Sequence, residues 1–187
     1  MAQIIAITNQ KGGVGKTTTA VNLAASLAVT EQQTLLIDCD PQANATTGLG
    51  IDKGDIQHSL YNGLGDTVKA DDLILDSQIE TLKIIPARTE LIGFEVEMAT
   101  HQERETLLRQ MITTITAPFD YFILDCQPSL SLLTVNALTA ADAIIIPLQC
   151  EFYALEGVGQ LLETYRRVRQ ALNPALMIKG ILLTMYD

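Results

Sequence analysis

The chain has 187 residues, 48% of them apolar, and sets 12 Lys and Arg against 22 Asp and Glu for a net charge of −10. That length and apolar content fit one compact domain with a core of its own and exclude a disordered tail. The charge excludes a surface that is basic throughout and grips DNA as a whole, so any contact with DNA has to be local.

No apolar run reaches the ~18 residues that a membrane span needs, and no charged and apolar leader ends in a small-residue cleavage site, which together predict a cytoplasmic protein. Cys39, Cys126 and Cys150 lack any CxxC or Cys/His spacing and stand at or near the ends of apolar runs. They read as reduced, buried small hydrophobes.

In chain order, Gln3 to Thr8 is a short apolar run, Gln10 to Thr18 is rich in Gly, Lys and Thr, and Thr19 to Val29 is an Ala/Leu stretch without a breaker. These predict strand, loop and helix. Thr34 to Ile37 predicts a strand that runs through Asp38-Cys39-Asp40-Pro41 into a long polar loop reaching about Gly54. Residues from Asp55 to about Gln78 suggest short helices, and Thr81 to Ile85 a strand. From Thr89 to Ile115 apolar residues recur at intervals of three and four, which predicts one or two amphipathic helices.

Tyr121 to Leu124, closed by Asp125, predicts a buried strand, and Leu130 to Ala141 a helix. Ala143 to Pro147 is a continuous apolar run, the pattern of a strand covered on both faces in a parallel sheet. Gly157 to Leu172 predicts a helix ended by Asn173-Pro174, and Met177 to Thr184 a further strand. The alternation implies an α/β fold, a doubly wound and mostly parallel sheet with helices on both faces and right-handed crossovers.

The chemistry begins at Lys11-Gly12-Gly13-Val14-Gly15-Lys16-Thr17-Thr18, between the first strand and the first helix. Glycines let the backbone turn its N–H groups toward an anion, and the helix N-terminus adds partial positive charge. Lys16 is placed to reach β and γ phosphates, and the Thr17 hydroxyl to complete a Mg²⁺ shell. The strict Walker A spacing fails, because the position for its first Gly is Gln10, and an extra lysine, Lys11, stands at the loop entrance instead. Lys-Gly-Gly-x-Gly-Lys-Thr is the deviant Walker form.

That block, continued by Thr19-Ala20-Val21-Asn22-Leu23-Ala24, resembles the ParA/Soj family of chromosome and plasmid partition ATPases. Leu36 to Thr46 looks like the family's switch segment, and Tyr121 to Leu133 like its Walker B strand and following loop. Pro147 to Glu151 with Ala154-Leu155-Glu156-Gly157 looks like a later core motif, so the resemblance covers essentially the whole chain.

The resemblance implies a single P-loop ATPase domain over 1–187 that binds ATP with Mg²⁺ at residues 11–18. It implies that Lys11 crosses a dimer interface to the partner's phosphates, with a plain surface lysine as the alternative. It also implies that Asp40 orients the attacking water, and that Asp38 and Asp125 organise Mg²⁺ with Thr17; capping of a neighbouring loop is the alternative for Asp38 and Asp40. One departure is Cys126-Gln127-Pro128, where the family usually has two prolines; Gln127 adds an amide beside the γ-phosphate.

The partners implied are a second copy in an ATP-dependent homodimer, a ParB-like stimulating protein, and DNA bound without sequence preference, with no membrane. The expected location is the cytoplasm, on the nucleoid. Family members continue beyond the position of Asp187, so the chain is expected to lack the part that holds the adenine base and most of the DNA-contacting surface.

Other patterns carry less. Arg166, Arg167 and Arg169 are the one tight basic group and read as a solvated helix face. His58 and His101 stand apart from the motifs, and Glu151 with Glu156 lacks a cleft for paired-carboxylate chemistry. Three other roles remain: a membrane-associated positioning ATPase similar to MinD, for which no amphipathic targeting helix is seen; a redox ATPase of the nitrogenase iron protein type, whose cysteine arrangement is not matched; and a catalytically inert nucleotide-binding fragment.

Overall fold

The apolar runs pair into one seven-stranded sheet. The computed structural model describes residues 2–151 and 154–186, with the backbone alone for 154–157. Its strands are β1 (Gln3–Ile7), β2 (Thr34–Cys39), β3 (Leu75–Asp76), β4 (Leu82–Ile85), β5 (Tyr121–Cys126), β6 (Ala143–Gln149) and β7 (Met177–Thr184). In space they run β3-β4-β2-β5-β1-β6-β7. Every neighbouring pair is parallel except β3 with β4.

The helices are α1 (Lys16–Val29), α2 (Asn44–Gly48), α3 (Leu60–Leu64), α4 (Phe94–Glu97), α5 (Leu107–Thr114), α6 (Leu132–Ala140) and α7 (Ala154–Ala171). Strand periodicity sorts the core into two layers. Leu36, Ile84 and Ile123 face one side with Ala20, Ala24 and Ala28 of α1. Leu35, Ile37, Phe122, Leu124, Ile144 and Ile146 face the other, under α3, α5, α6 and α7. Beyond the buried Lys16 at its start, the buried stripe of α1 is these three alanines at every fourth residue, so only methyl groups meet the sheet there.

Several boundaries depart from the sequence reading. The stretch after β2 is not loop throughout, since α2 forms within it where Ala43, in the left-handed region at φ 54°, turns the chain. Residues 89–115 break into a 3₁₀ turn (Thr89–Ile92), α4 and α5. Gly93, itself in the αR region, separates the first two, and Glu103, at positive φ, lies between the last two. The short antiparallel β3 shows no sequence signal at two residues. Cys39 and Cys126 are buried as expected, but Cys150 is exposed, because it lies past the last residue of β6.

Asn173 closes the helix layer: its amide nitrogen lies 3.1, 3.1 and 2.7 Å from the carbonyl oxygens of Leu138, Thr139 and Ala141, and its two N–H groups are shared among them at the C-terminal end of α6. Asn173→Ala strips those carbonyls of their donor and is expected to lower stability by about 1–3 kcal/mol, read as a shift of the urea midpoint at unchanged slope.

Candidate functional site

The carboxyl ends of β1, β2 and β5 lie side by side, and open α/β sheets bind their ligands at this edge. After β1 the chain turns through 8–15 into α1. Gly13 and Gly15 take φ of 74° and 86°, which only glycine adopts without strain. The first turn of α1 has neither an acidic residue nor a side-chain cap, so its N–H groups are left toward the loop. Gly12, Gly13 and Thr18 are exposed, Gly15 and Thr17 half-buried, and Val14 buried as the loop's apolar anchor.

The loop is fastened from the neighbouring strands. Asn9 donates its amide to Pro147 O at 2.7 Å and accepts from Lys11 N–H at 3.0 Å. Gln149 at the end of β6 donates to Gly13 O at 3.2 Å, and Thr184 at the end of β7 donates to Val14 O at 2.9 Å. Lys16 is only 6% exposed, and its ammonium donates to Lys11 O at 2.8 Å. Burial pulls its pKa down, against the opposing pull of Asp125, Cys126 and Asp40. The Lys11 ammonium pairs with Glu151 at 2.8 Å.

The three carboxylates differ in how they are satisfied. Asp38 is fully buried: one oxygen accepts from the N–H and hydroxyl of Thr46 at 2.8 and 2.7 Å, the other from Asp40 N–H at 3.1 Å. Burial lifts its pKa to about 6 despite these bonds. Asp40 accepts from Gln42 N–H at 2.9 Å and is 7% exposed. Asp125 is fully buried, and neither of its oxygens has a hydrogen-bond partner. Its pKa rises to about 7 through burial first and the charge of Asp38 second; Thr17 stands near enough to oppose this, although its hydroxyl forms no bond of ordinary geometry to either oxygen.

The structure thus brings Lys16, Thr17, Asp38, Asp40 and Asp125 to one edge, with Lys11 at the rim. Gln127 donates its amide to Ser131, the residue before α6, so it braces the start of that helix. No group of three His, Cys, Asp or Glu suited to a metal occurs among the described residues, and His58 and His101 are exposed. The side chain of Glu156 and the motif Ala154-Leu155-Glu156-Gly157 lie outside the described side chains. Arg166 and Arg167 are exposed, Arg167 pairing with Glu163, while Arg169 contacts Pro174 O and Tyr165.

Sequence reasoning passed over Asn9, Thr46 and Thr184. Thr46 stood inside a quoted motif; Asn9 and Thr184 act through contacts of 138 and 170 residues' separation, which no local pattern reveals. A cavity of about 670 Å³ between α3 and α5, lined by Leu64, Val68, Met98 and Met111 among others, lies apart from these residues.

A glycine loop between β1 and α1, with a buried lysine at the helix start and carboxylates at the ends of β2 and β5, defines a P-loop nucleotide-binding protein of the deviant Walker type. Residues 2–178 match the family described as AAA domain. Over 187 residues the chain is 53% identical to the sporulation initiation inhibitor protein Soj of Bacillus subtilis, covering all of this chain and 74% of that protein. It is 52% identical to the chromosome partitioning protein ParA of Myxococcus xanthus, covering all of this chain and 66% of the relative.

Among solved structures, cobyrinic acid a,c-diamide synthase from Mycobacterium smegmatis with bound ATP analogue and magnesium superposes with a TM-score of 0.96 at 38% identity, over 100% of this chain and 74% of that one. A plasmid partition protein from Borrelia burgdorferi gives 0.87 at 30% identity, over 100% and 80%. The chain belongs to the ParA/Soj family of partition ATPases.

The buried carboxylate has a measurable cost. Between its ordinary value of 3.8 and about 7, the folded Asp125 keeps a proton that the unfolded chain has lost. Stability of the nucleotide-free protein therefore falls as pH rises through that window, and the cost is complete above it. Asp125→Asn is expected to stabilise the nucleotide-free protein by on the order of 3 kcal/mol at pH 8, with the gain vanishing near pH 4, measured by denaturant melts across pH.

Proposed function

We propose that this chain is a Mg²⁺-dependent ATPase that dimerises with ATP and serves the partition of a chromosome or plasmid. The observation that carries the reading is Asp125, a buried carboxylate with two unpartnered oxygens beside the lysine of a phosphate loop. Such a group fits the water shell of a Mg²⁺ ion, whose waters donate the missing hydrogen bonds and whose charge reverses the cost of ionisation.

In this reading residues 1–187 act as one P-loop ATPase unit. The N–H groups of 12–18 hold the phosphates, Lys16 exchanges Lys11 O for a phosphate oxygen, and Thr17 and Asp125 hold Mg²⁺, Asp125 through water. Bound Mg²⁺ supplies neutralising charge for the departing phosphoryl group. Asp40 orients the attacking water. Asp38 acts on the metal indirectly, since its oxygens already brace Thr46 and Asp40. Lys11 reaches the nucleotide of a partner copy.

The names of the Myxococcus xanthus relative and of the Borrelia burgdorferi structure support the partition role. The ATP-bound dimer then binds DNA without sequence preference through a local basic surface, a ParB-like protein stimulates turnover, and the protein acts in the cytoplasm on the nucleoid. No described helix is long and apolar enough to cross a membrane. One observation favours a second reading, nucleotide binding without turnover: Met177, Ile181 and Leu183 of β7 are 60, 55 and 56% exposed, leaving apolar strand surface next to Thr184.

Turnover, ATP affinity and molar mass with and without ATP and Mg²⁺ separate the two. Lys16→Ala is expected to weaken ATP binding roughly 100-fold. Asp40→Ala is expected to keep ATP-dependent doubling of mass while turnover falls roughly 100-fold. Binding without turnover or mass change in the wild type supports the second reading, and no binding at all overturns both.

A further inference from the structure

Both lysines of the site are engaged by acceptors of the chain itself. Lys16 donates to Lys11 O, and Lys11 donates to Glu151 Oε2, each at 2.8 Å. Glu151 is held in place to receive it. Its N–H donates to Gln149 O at 2.8 Å, and Gln149 in turn donates to Gly13 O, so the segment after β6 is clipped to the phosphate loop at two points. The Lys11 backbone is fixed as well, through its N–H to Asn9, which is itself fastened to Pro147. What remains free to move is the Lys11 side chain, 33% exposed, against a Glu151 side chain that is 61% exposed.

From this geometry we infer that Glu151 is a positioning residue that parks Lys11 within its own chain and sets the threshold for ATP-dependent pairing of two copies. The inference rests on the reading of Lys11 as a ligand of the partner's nucleotide. The Lys11 ammonium has three N–H donors, but a carboxylate held 2.8 Å from it would face a partner's phosphates with like charge, so moving Lys11 onto those phosphates favours opening of the ion pair.

The partial exposure of both groups makes the opening easy: exposed pairs of this kind hold by a factor of roughly 1.5 to 5. A symmetric pair of copies opens two of them, so the factor enters twice, as roughly 2 to 25 in the dimer dissociation constant. This range suits a switch. A deeply buried pair would forbid dimerisation, whereas an absent one would let the copies pair whenever nucleotide is bound. Because both charges face solvent, the parking also weakens as salt screens them.

Two measurements on the full chain test this, comparing wild type with Glu151→Gln. The first is the rate at which an amine-acylating reagent labels Lys11 in the nucleotide-free protein, read by mass spectrometry of the peptide. The second is the dimer dissociation constant with ATP and Mg²⁺ from sedimentation. Glu151→Gln is expected to speed labelling of Lys11 several-fold at low salt, with the two proteins converging in 1 M NaCl as expected for a screened pair, and to tighten the dimer by a factor of roughly 2 to 25.

Equal labelling at low salt means that Lys11 is not parked and overturns the inference. Faster labelling with an unchanged or weaker dimer shows a parked lysine that sets no threshold, which also overturns it. If Glu151→Gln labels faster but the wild type never dimerises with ATP and Mg²⁺, the dimer reading beneath the inference is overturned, and a direct ATP-binding titration of the wild type shows whether nucleotide binding failed first. Glu151→Asp, which keeps the charge on a shorter stem, is expected to fall between the other two in both measurements.

Discussion

Asp38 and Asp125 occupy paired positions on adjacent parallel strands, both closed off from solvent. Two carboxylates so placed cannot both ionise without a nearby cation or strong donors, and the surroundings of the site answer that constraint. Thr46 gives Asp38 two donors and takes one from Ala87 N–H at 3.1 Å, which carries the brace to the segment after β4. Lys16 stands by Asp125 but sends its hydrogen bond to Lys11 O, so it contributes charge without satisfying either oxygen. Of the two carboxylates, only Asp125 is left with unpartnered oxygens, beside the lysine of the phosphate loop.

The sheet makes that concentration possible. Burial of β2 at all six positions and of β5 at five of its six lets each strand carry a carboxylate at its penultimate position inside the protein. Parallel pairing in register puts the two ends at the same height. An antiparallel sheet with one wet face would have sent alternate residues to solvent, and the same aspartates would have ionised at little cost. The electrostatics of the site are thus a consequence of strand register and of helices covering both faces.

Much of this was legible in the sequence because its causes are local. The glycines at 13 and 15, the lysine at 16, and strands that end in aspartate all write themselves as short motifs. The apolar run of β6 announced burial on both faces before any pairing was visible. The break at Gly93 was not legible, because the backbone there stays in the αR region and the apolar spacing runs on across it. The break before α5 left a trace that was passed over, since residues 100–106 hold no apolar side chain and Glu103 among them takes positive φ. The fastening of the phosphate loop was hidden for a different reason. Asn9, Gln149 and Thr184 meet the loop through contacts created by strand order, and strand order is a global property of the chain. Cys150 was misjudged by the same rule that placed Cys39 and Cys126 correctly: one residue past the end of a strand, the alternation that buries a side chain no longer applies.

The hydroxyl of Thr184 links the least covered strand to the most constrained loop. β7 is an edge strand with large apolar side chains exposed along it, and elements with little burial open locally at low free energy. Yet its last residue donates to Val14 O, inside the turn that Gly13 and Gly15 make. Local opening of β7 withdraws that donor, and Val14, buried as the anchor of the turn, then loses one of its restraints. The bond therefore ties the end of the strand to the turn, and whatever steadies one of them steadies the other.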